Sequence, residues 1–231
     1  DHRDLHSFPT RRSSDLNIEP KYPPAWVTLG DLFVQQDNLD QAEYAFRKAV
    51  DYNPILTTGW LGLGNSLLKK ENYVLAIDAF IKAITLEPKN HIGHFYHGLT
   101  LYYLKEYDRA IVVFRKAIEL NANYPASLFN LGLCFTAKLE YENALITYRK
   151  AISINQNYVA AWNGAGNALK AKGQLDEAII AYQKVVSLDK NHKFGWNSLG
   201  IAYITKKNYA AAISVYQRVL ELDQKYIPAW Y

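Results

Sequence analysis

The sequence predicts an all-α fold, an α-solenoid in which antiparallel helix pairs follow one another in a 34-residue repeat. Two observations lead to this prediction. Tryptophan recurs with a fixed period, and each repeat unit places its apolar residues on two helical stripes. A helix pair of this length leaves an apolar face that only the next pair can cover, so such units stack.

All five tryptophans share one register. Trp60 follows Trp26 by one 34-residue period, and the next tryptophan, Trp162, follows Trp60 by three such periods. Glycine keeps the same period: Gly30, Gly64, Gly98, Gly132, Gly166 and Gly200. An aromatic residue recurs in the second half of the unit: Phe46, Phe80, Phe114, Tyr148, Tyr182 and Tyr216. Six matches in register predict six full units.

Each unit is predicted to contain two helices. In the first unit, one stripe at i, i+3, i+4 and i+7 predicts the first helix: Trp26, Leu29, Gly30 and Phe33. A polar turn at Gln36–Asn38 follows. A second stripe predicts an antiparallel helix: Ala42, Ala45, Phe46 and Ala49. Glycine and alanine are expected where the helix axes approach closely.

This pattern resembles the tetratricopeptide repeat (TPR) family, whose 34-residue unit reads W-x₂-L-G-x₂-Y…A-x₃-F…P. Prolines at 20, 54 and 88 supply the closing position of the early units. The resemblance predicts a TPR superhelix with units at 23–56, 57–90, 91–124, 125–158, 159–192 and 193–226. Residues 17–22 are predicted to be the tail of a truncated upstream unit, and residues 227–231 the start of a seventh.

Residues 1–16 fit no repeat. The segment DHRDLHSFPTRRSSDL resembles the conceptual translation of a short-read sequencing adapter, and it lacks the apolar stretch of a secretion signal. The chain also contains no methionine, which is typical of an internal fragment. We therefore expect the native sequence to begin at Asn17, in the middle of a repeat.

The composition argues against several classes of protein. No run of about 18 apolar residues occurs, so no membrane span is expected. The net charge of +4 is small and the basic residues are scattered, whereas a nucleic-acid interface needs them on one face. We expect neither a membrane nor a nucleic acid as partner.

The family resemblance implies that the first helix of each unit lines a concave groove. At the corresponding positions the sequence has an aromatic middle and an amide-rich end, and we predict the following binding residues: Asn65, Phe95, Tyr96, Leu99, Tyr102, Tyr103, Phe129, Asn130, Asn163, Asn167 and Asn197. Aromatic rings and side-chain amides suit an extended peptide, because rings supply contact area and amides bond to any peptide backbone. The alternative is that some of these rings pack between neighbouring units.

No catalytic, cofactor or metal site is predicted. His91, His94 and His97 lie three residues apart, but the last two occupy the positions of Trp60 and Leu63 in the preceding unit, which predicts packing. Cys134 lies among apolar residues and is predicted to be a small buried side chain.

The sequence thus predicts a non-enzymatic scaffold that binds a protein or an extended peptide in its groove. Two other hypotheses stay open. The chain could be the substrate-selecting arm of a larger enzyme, for example a glycosyltransferase, whose catalytic domain lies outside this sequence. It could also associate with itself through exposed repeat ends or the aromatic groove.

Overall fold

The computed structural model describes residues 21–222. This range contains twelve α-helices and no strand: α1 Pro23–Gln35, α2 Leu39–Tyr52, α3 Thr57–Lys69, α4 Tyr73–Leu86, α5 His91–Tyr103, α6 Tyr107–Leu120, α7 Pro125–Ala137, α8 Tyr141–Ile154, α9 Val159–Ala171, α10 Leu175–Leu188, α11 Lys193–Thr205 and α12 Tyr209–Leu222. No helix in residues 21–222 has the length and apolar content that a membrane span requires. The adapter-like segment 1–16, residues 17–20 and residues 223–231 lie outside the described range.

Consecutive helices form antiparallel pairs, and the first pair shows how. Near the start of α1, Trp26 packs against Ala45 and Ala49 of α2, whereas Gly30, one turn further on, lies under the ring of Phe46. Residues further along α1 thus contact residues nearer the start of α2, which shows that the two helices are antiparallel. The six pairs are α1 with α2, α3 with α4, and so on to α11 with α12. The predicted all-α fold of TPR helix pairs is confirmed.

A three-residue turn joins the two helices of each pair. In the first pair this turn is 36–38, as predicted from the sequence. Its middle residue has a positive φ in every pair, between 57° and 77°, and Gly173 is the one glycine among these six residues. Because L side chains crowd the backbone in this conformation, the other five turns are more strained than the turn at Gly173.

The core of each pair is an aromatic ring of the second helix placed over a glycine of the first. Phe46, Phe80, Phe114, Tyr148 and Tyr182 are fully buried. A Cβ built on Gly132 would lie 2.5 Å from Cε1 of Tyr148, and one on Gly166 would lie 2.6 Å from Cε1 of Tyr182. Only glycine allows the two helix axes to approach this closely, which explains the periodic glycine of the sequence.

The chain divides into two compact units, which we describe separately. Unit 1 is Asp1–Pro88 and contains α1–α4, and unit 2 is Lys89–Tyr231 and contains α5–α12. Within unit 2 the first helices of successive pairs, α5, α7, α9 and α11, contact one another. No comparable contact joins α6, α8, α10 and α12 in the described residues. The first helices therefore lie on the inner, concave side of unit 2 and the second helices on its outer side.

Lysine side chains tie one helix pair to the next by a recurring ion pair. Lys70 Nζ lies 2.6 Å from Oδ1 of Asp40 in unit 1. In unit 2, Lys172 pairs with Glu142 and Lys206 with Asp176, at the same separation along the sequence. These groups are largely exposed and screened by solvent, so each ion pair adds little to the free energy of unfolding.

Candidate functional site: the concave surface of unit 2

We assign the concave surface of unit 2 to one stripe of residues on its first helices. In each first helix they occupy the second, sixth, ninth and thirteenth positions of the 34-residue unit, which share one helical stripe. The residues at these positions are Ile92, Tyr96, Leu99, Tyr103, Ala126, Asn130, Leu133, Ala137, Ala160, Gly164, Asn167, Ala171, Phe194, Ser198, Ile201 and Thr205. We call this set, with its immediate neighbours, the concave surface.

The α5 end of this surface is aromatic. Tyr103 is 51% exposed, and the centre of its ring is 5.8 Å from that of Tyr102. Tyr102 also contacts the ring of Tyr107 at 5.7 Å and is half-buried, and this burial raises the pKa of its hydroxyl. Leu99 and Tyr96 lie one and two turns before Tyr103 on α5, and both are partly exposed. Four of the predicted residues thus lie together and present ring and aliphatic area to solvent.

The structure places two predicted rings differently. Phe95 is 7% exposed and packs against Tyr96, Phe114 and Tyr124, so it belongs to the core. This corrects its assignment to the binding surface. Its neighbours explain the burial, because the rings of Phe114 and Tyr124 come from outside α5 and close over it.

Phe129 of α7 is only partly buried. It packs against the core cluster around Leu128, and its ring centre lies 5.4 Å from that of Tyr158. The remaining face of Phe129 borders the concave surface, so this residue is shared between the core and the surface.

The predicted asparagines also differ in their accessibility and in their position. Asn130 is 8% exposed and its Nδ2 donates to the carbonyl of Ala126 at 2.9 Å, so its amide is already bonded within α7. Burial and this hydrogen bond leave little of the Asn130 side chain to a ligand. Asn65 lies on α3 of unit 1, partly buried, and is not part of the concave surface of unit 2.

Three amides remain on α9 and α11. Asn167 is exposed, and its Oδ1 accepts a 2.8 Å hydrogen bond from the hydroxyl of Tyr182, which fixes the orientation of the amide. The Oδ1 of Asn163 is buried without a hydrogen-bond partner. Asn197 is partly exposed on α11. Because the Oδ1 of Asn163 is buried, Asn167 and Asn197 are the two amides that a ligand can reach.

Small residues separate the aromatic end from the last helix pair. The middle of the surface has Ala126, Ala137, Ala160 and Gly164, and beyond it Phe194 is 72% exposed. Phe194 is missing from the predicted set. Its position, three residues before Asn197 on the same helix, could have identified it.

The charges of these helices are unusually one-sided. The first helices of unit 2 carry two lysines, Lys170 and Lys193, and no aspartate or glutamate. The acidic residues of the described part of unit 2 lie in turns and on the second helices. The concave surface is therefore neutral to weakly basic.

The histidines and the cysteine are packed rather than arranged for chemistry. Asn121 Nδ2 donates to Nε2 of His91 at 2.6 Å, and burial lowers the pKa of that imidazole. Burial lowers the pKa of His97 further, to about 4. Cys134 is fully buried, as predicted, and burial raises the pKa of its thiol to about 12, so the reactive thiolate is suppressed. No group of three possible metal ligands occurs in residues 21–222.

Comparisons with known proteins agree with this geometry. Models of the tetratricopeptide repeat match residues 27–91, 125–158, 159–192 and 194–226, and a further TPR repeat model matches residues 98–138. No curated protein sequence matches the chain.

Several solved structures share the fold. PilF of Pseudomonas aeruginosa is 19% identical with a TM-score of 0.78, and the match covers 90% of this chain and 95% of PilF. YrrB, a TPR protein with an unusual peptide-binding site, is 22% identical with a TM-score of 0.65, over 80% of this chain and 96% of YrrB.

The APC/C hetero-tetramer Cut9–Hcn1 supplies a longer relative. It is 21% identical with a TM-score of 0.77, and the match covers 92% of this chain but only 42% of that one. This chain thus spans less than half the length of that relative. At such identities the likeness shows the fold alone. Together with the matching repeat models and the twelve paired helices, it establishes that the chain belongs to the tetratricopeptide repeat family.

Proposed function

We propose that the concave surface of unit 2 binds an extended segment of a partner protein, with apolar side chains and without net positive charge. TPR repeats serve in general as protein-interaction scaffolds and the fold is generally non-catalytic, so we propose no reaction for this chain. The observation that supports a peptide most directly is the exposed side chain of Tyr103, which stands beside Tyr96 and Leu99 at one end of the surface.

The layout of the surface suits an extended backbone. Small residues such as Ala126 and Ala160 let a ligand main chain come close to α7 and α9. The amide of Asn167, oriented by Tyr182, is placed to donate to a ligand carbonyl. Side chains of the ligand then contact the aromatic end at one side and Phe194 at the other.

The charge of the surface defines which segments fit. The four first helices carry no carboxylate, so a lysine or arginine of the ligand would lose its hydration without gaining an ion pair. Apolar, amide and hydroxyl side chains meet no such cost. YrrB, which has the same fold, is a precedent for peptide binding by a TPR protein.

Selection from a random display library tests the proposal. Twelve-residue peptides selected on the immobilised chain should be depleted in lysine and arginine, and the substitution Tyr103→Ala should weaken their binding by about 30-fold. This corresponds to the loss of about 2 kcal/mol expected for an aromatic hot-spot residue. Fluorescence anisotropy of labelled peptides measures the dissociation constants.

Tyr209→Ala is the matched control, because Tyr209 is 60% exposed but lies at the start of the second helix α12. It should leave the dissociation constants unchanged, and circular dichroism should show both variants folded. Equal affinity of the Tyr103→Ala variant and the parent chain would contradict the proposal.

A further inference from the structure

The tryptophans border a second, repeated set of cavities beside the second helices. Cavities of about 620, 310 and 290 Å³ are lined by Trp196, Trp162 and Trp60, respectively. The residues around them are equivalent: Gln183, Arg149 and Arg47 occupy one position of the 34-residue unit. Each cavity therefore arises from the repeat itself, where two successive helix pairs meet. Each lies within one of the two compact units.

The geometry of the helix pairs produces these cavities. The backbones of α10 and α12 do not approach each other as closely as those of α10 and α11 or of α11 and α12, which leaves a gap between α10 and α12 with α11 beneath it. The indole N–H of Trp196 donates to the carbonyl of Lys190 at 2.9 Å, and that of Trp162 donates to Gln156 in the same way. The indole is thus held in place, and part of the ring lines the cavity.

The Trp196 cavity differs from the others in its charges. At Trp162, Arg149 and Glu177 both line the cavity, 3.4 Å apart, and compensate each other. At Trp60, the carboxylate of Asp78 lines the cavity with two basic residues. At Trp196 the charged lining residues are Lys190 and Arg218, and no carboxylate lines it. Arg218 contacts Glu221, which lies outside the lining.

The polar groups at the Trp196 cavity are also distinct. Gln183 stands where the two equivalent cavities have arginine, and its Nε2 lies 2.9 Å from the hydroxyl of Tyr203. Leucine takes the place of Tyr203 in the other two cavities. The floor, with Leu199 and Val215, is apolar. Cavities of a few hundred Å³ with an apolar floor and a few polar groups are typical of binding sites.

From this combination we infer a second docking site, beyond the function proposed for the concave surface. The Trp196 cavity takes an aromatic or aliphatic side chain of a partner protein, and a carboxylate next to that side chain in the partner pairs with Lys190 and Arg218. The apolar floor accounts for the anchor. The lining has Lys190 and Arg218 but, in the described residues, only one nearby carboxylate, Glu221, which pairs with Arg218, and this excess of positive charge accounts for the acidic neighbour.

Nuclear magnetic resonance of the indole N–H groups tests this inference. The chain has five tryptophans, so substitution of each by phenylalanine assigns its signal. The probe is a capped peptide, Gly-Ser-Glu-Phe-Glu-Gly-Ser, at concentrations up to several millimolar. We expect the Trp196 signal to shift saturably, while the signals of Trp162 and Trp60 stay in place.

Two peptides and three protein variants complete the test. Replacing phenylalanine by alanine, or both glutamates by lysine, should abolish the shift. Arg218→Gln should weaken binding about tenfold, as expected for a hydrogen bond to a charged group. Arg149→Gln, at the compensated cavity, should have no effect. Tyr103→Ala should leave this binding intact, which separates the test from that of the concave surface.

The inference is overturned if the Trp196 signal does not move, or if the lysine peptide shifts it as strongly as the glutamate peptide. It is equally overturned if the Trp162 signal shifts in parallel, because the charge of the Trp196 cavity would then select nothing.

Discussion

His97 shows what a single polar residue does inside a helix stack. Its position in the unit belongs to leucine in the preceding and the following unit, at Leu63 and Leu131. The imidazole Nε2 is buried without a hydrogen-bond partner. The pKa of His97 falls to about 4, first because burial disfavours the charged ring and then because Arg109 and His94 are near. The folded state therefore holds this histidine neutral.

We predict that His97 makes the stability of the chain depend on pH. Its pKa is near 6.5 in the unfolded chain and about 4 in the folded chain, so the unfolded state binds more protons between these values. Stability is thus lost as the pH falls below about 6.5, by about 2 kcal/mol between pH 7 and pH 5. Urea denaturation at both pH values measures the free energy of unfolding.

His97→Leu is the comparison variant, because it restores the residue of the neighbouring units. It should remove most of the loss between pH 7 and pH 5 and also stabilise the chain at pH 7. An identical pH dependence in the variant would show that other groups, for example His91, are responsible.

At the scale of single residues, the binding surface could be predicted only in part. The 34-residue register located the positions: Tyr103 and Asn167 are exposed where that register puts them, and Leu99 is partly exposed. Whether a side chain stays exposed depends on residues distant in the sequence. Phe95 is buried by rings of α6 and of the loop before α7, and Asn130 bonds to a carbonyl of its own helix. Neither contact can be predicted from the helical periodicity of the sequence.

At the scale of the helix, the close approach of α7 and α8 depends on the absence of a Cβ at Gly132. The ring of Tyr148 is fully buried over Gly132, and its hydroxyl lies 3.0 Å from that of Thr136. The ring is therefore held on both sides. A Cβ on Gly132 would lie 2.5 Å from the ring, closer than real Cβ contacts allow, so the helices would have to move apart.

We predict that Gly132→Ala destabilises the chain by about 1–3 kcal/mol, the usual cost of overpacking a core. This happens although alanine favours helix more than glycine by about 1 kcal/mol. Chemical denaturation of the single and double variants measures the effect. In a Tyr148→Leu background the smaller side chain leaves room for the new methyl group, so the same substitution should cost less. Equal costs in both backgrounds would contradict the proposed clash.

The helices themselves could be predicted more fully than the surface. The stripes of the first unit gave both helices and the turn between them, and the structure has that turn at 36–38. Such patterns are local, because one helix face and one turn are contained in a few residues. The open gap between α10 and α12 is different, since it depends on how successive pairs lean on one another, and the sequence alone did not predict the cavity there.

At the scale of the whole molecule, the stability of a repeat protein depends on contacts between neighbouring helix pairs. Each helix pair contacts the pair before and after it within its unit, and the lysine bridges at 138, 172 and 206 reach back one pair. In such a stack the free energy of unfolding is close to a sum over pairs and their interfaces. Unit 2, with four pairs and its own buried rings, meets the conditions for folding alone.

We therefore predict that residues 89–231, produced without unit 1, fold into a helical protein that unfolds cooperatively in urea. Circular dichroism should show a strongly helical spectrum, and the dependence of the unfolding free energy on urea should be smaller than for the full chain, because less surface is exposed on unfolding. Removal of α11 and α12 from this fragment should lower its stability further without abolishing folding, since the three remaining stacked pairs still cover one another. A fragment 89–231 without cooperative unfolding would show that the two units depend on each other for their stability.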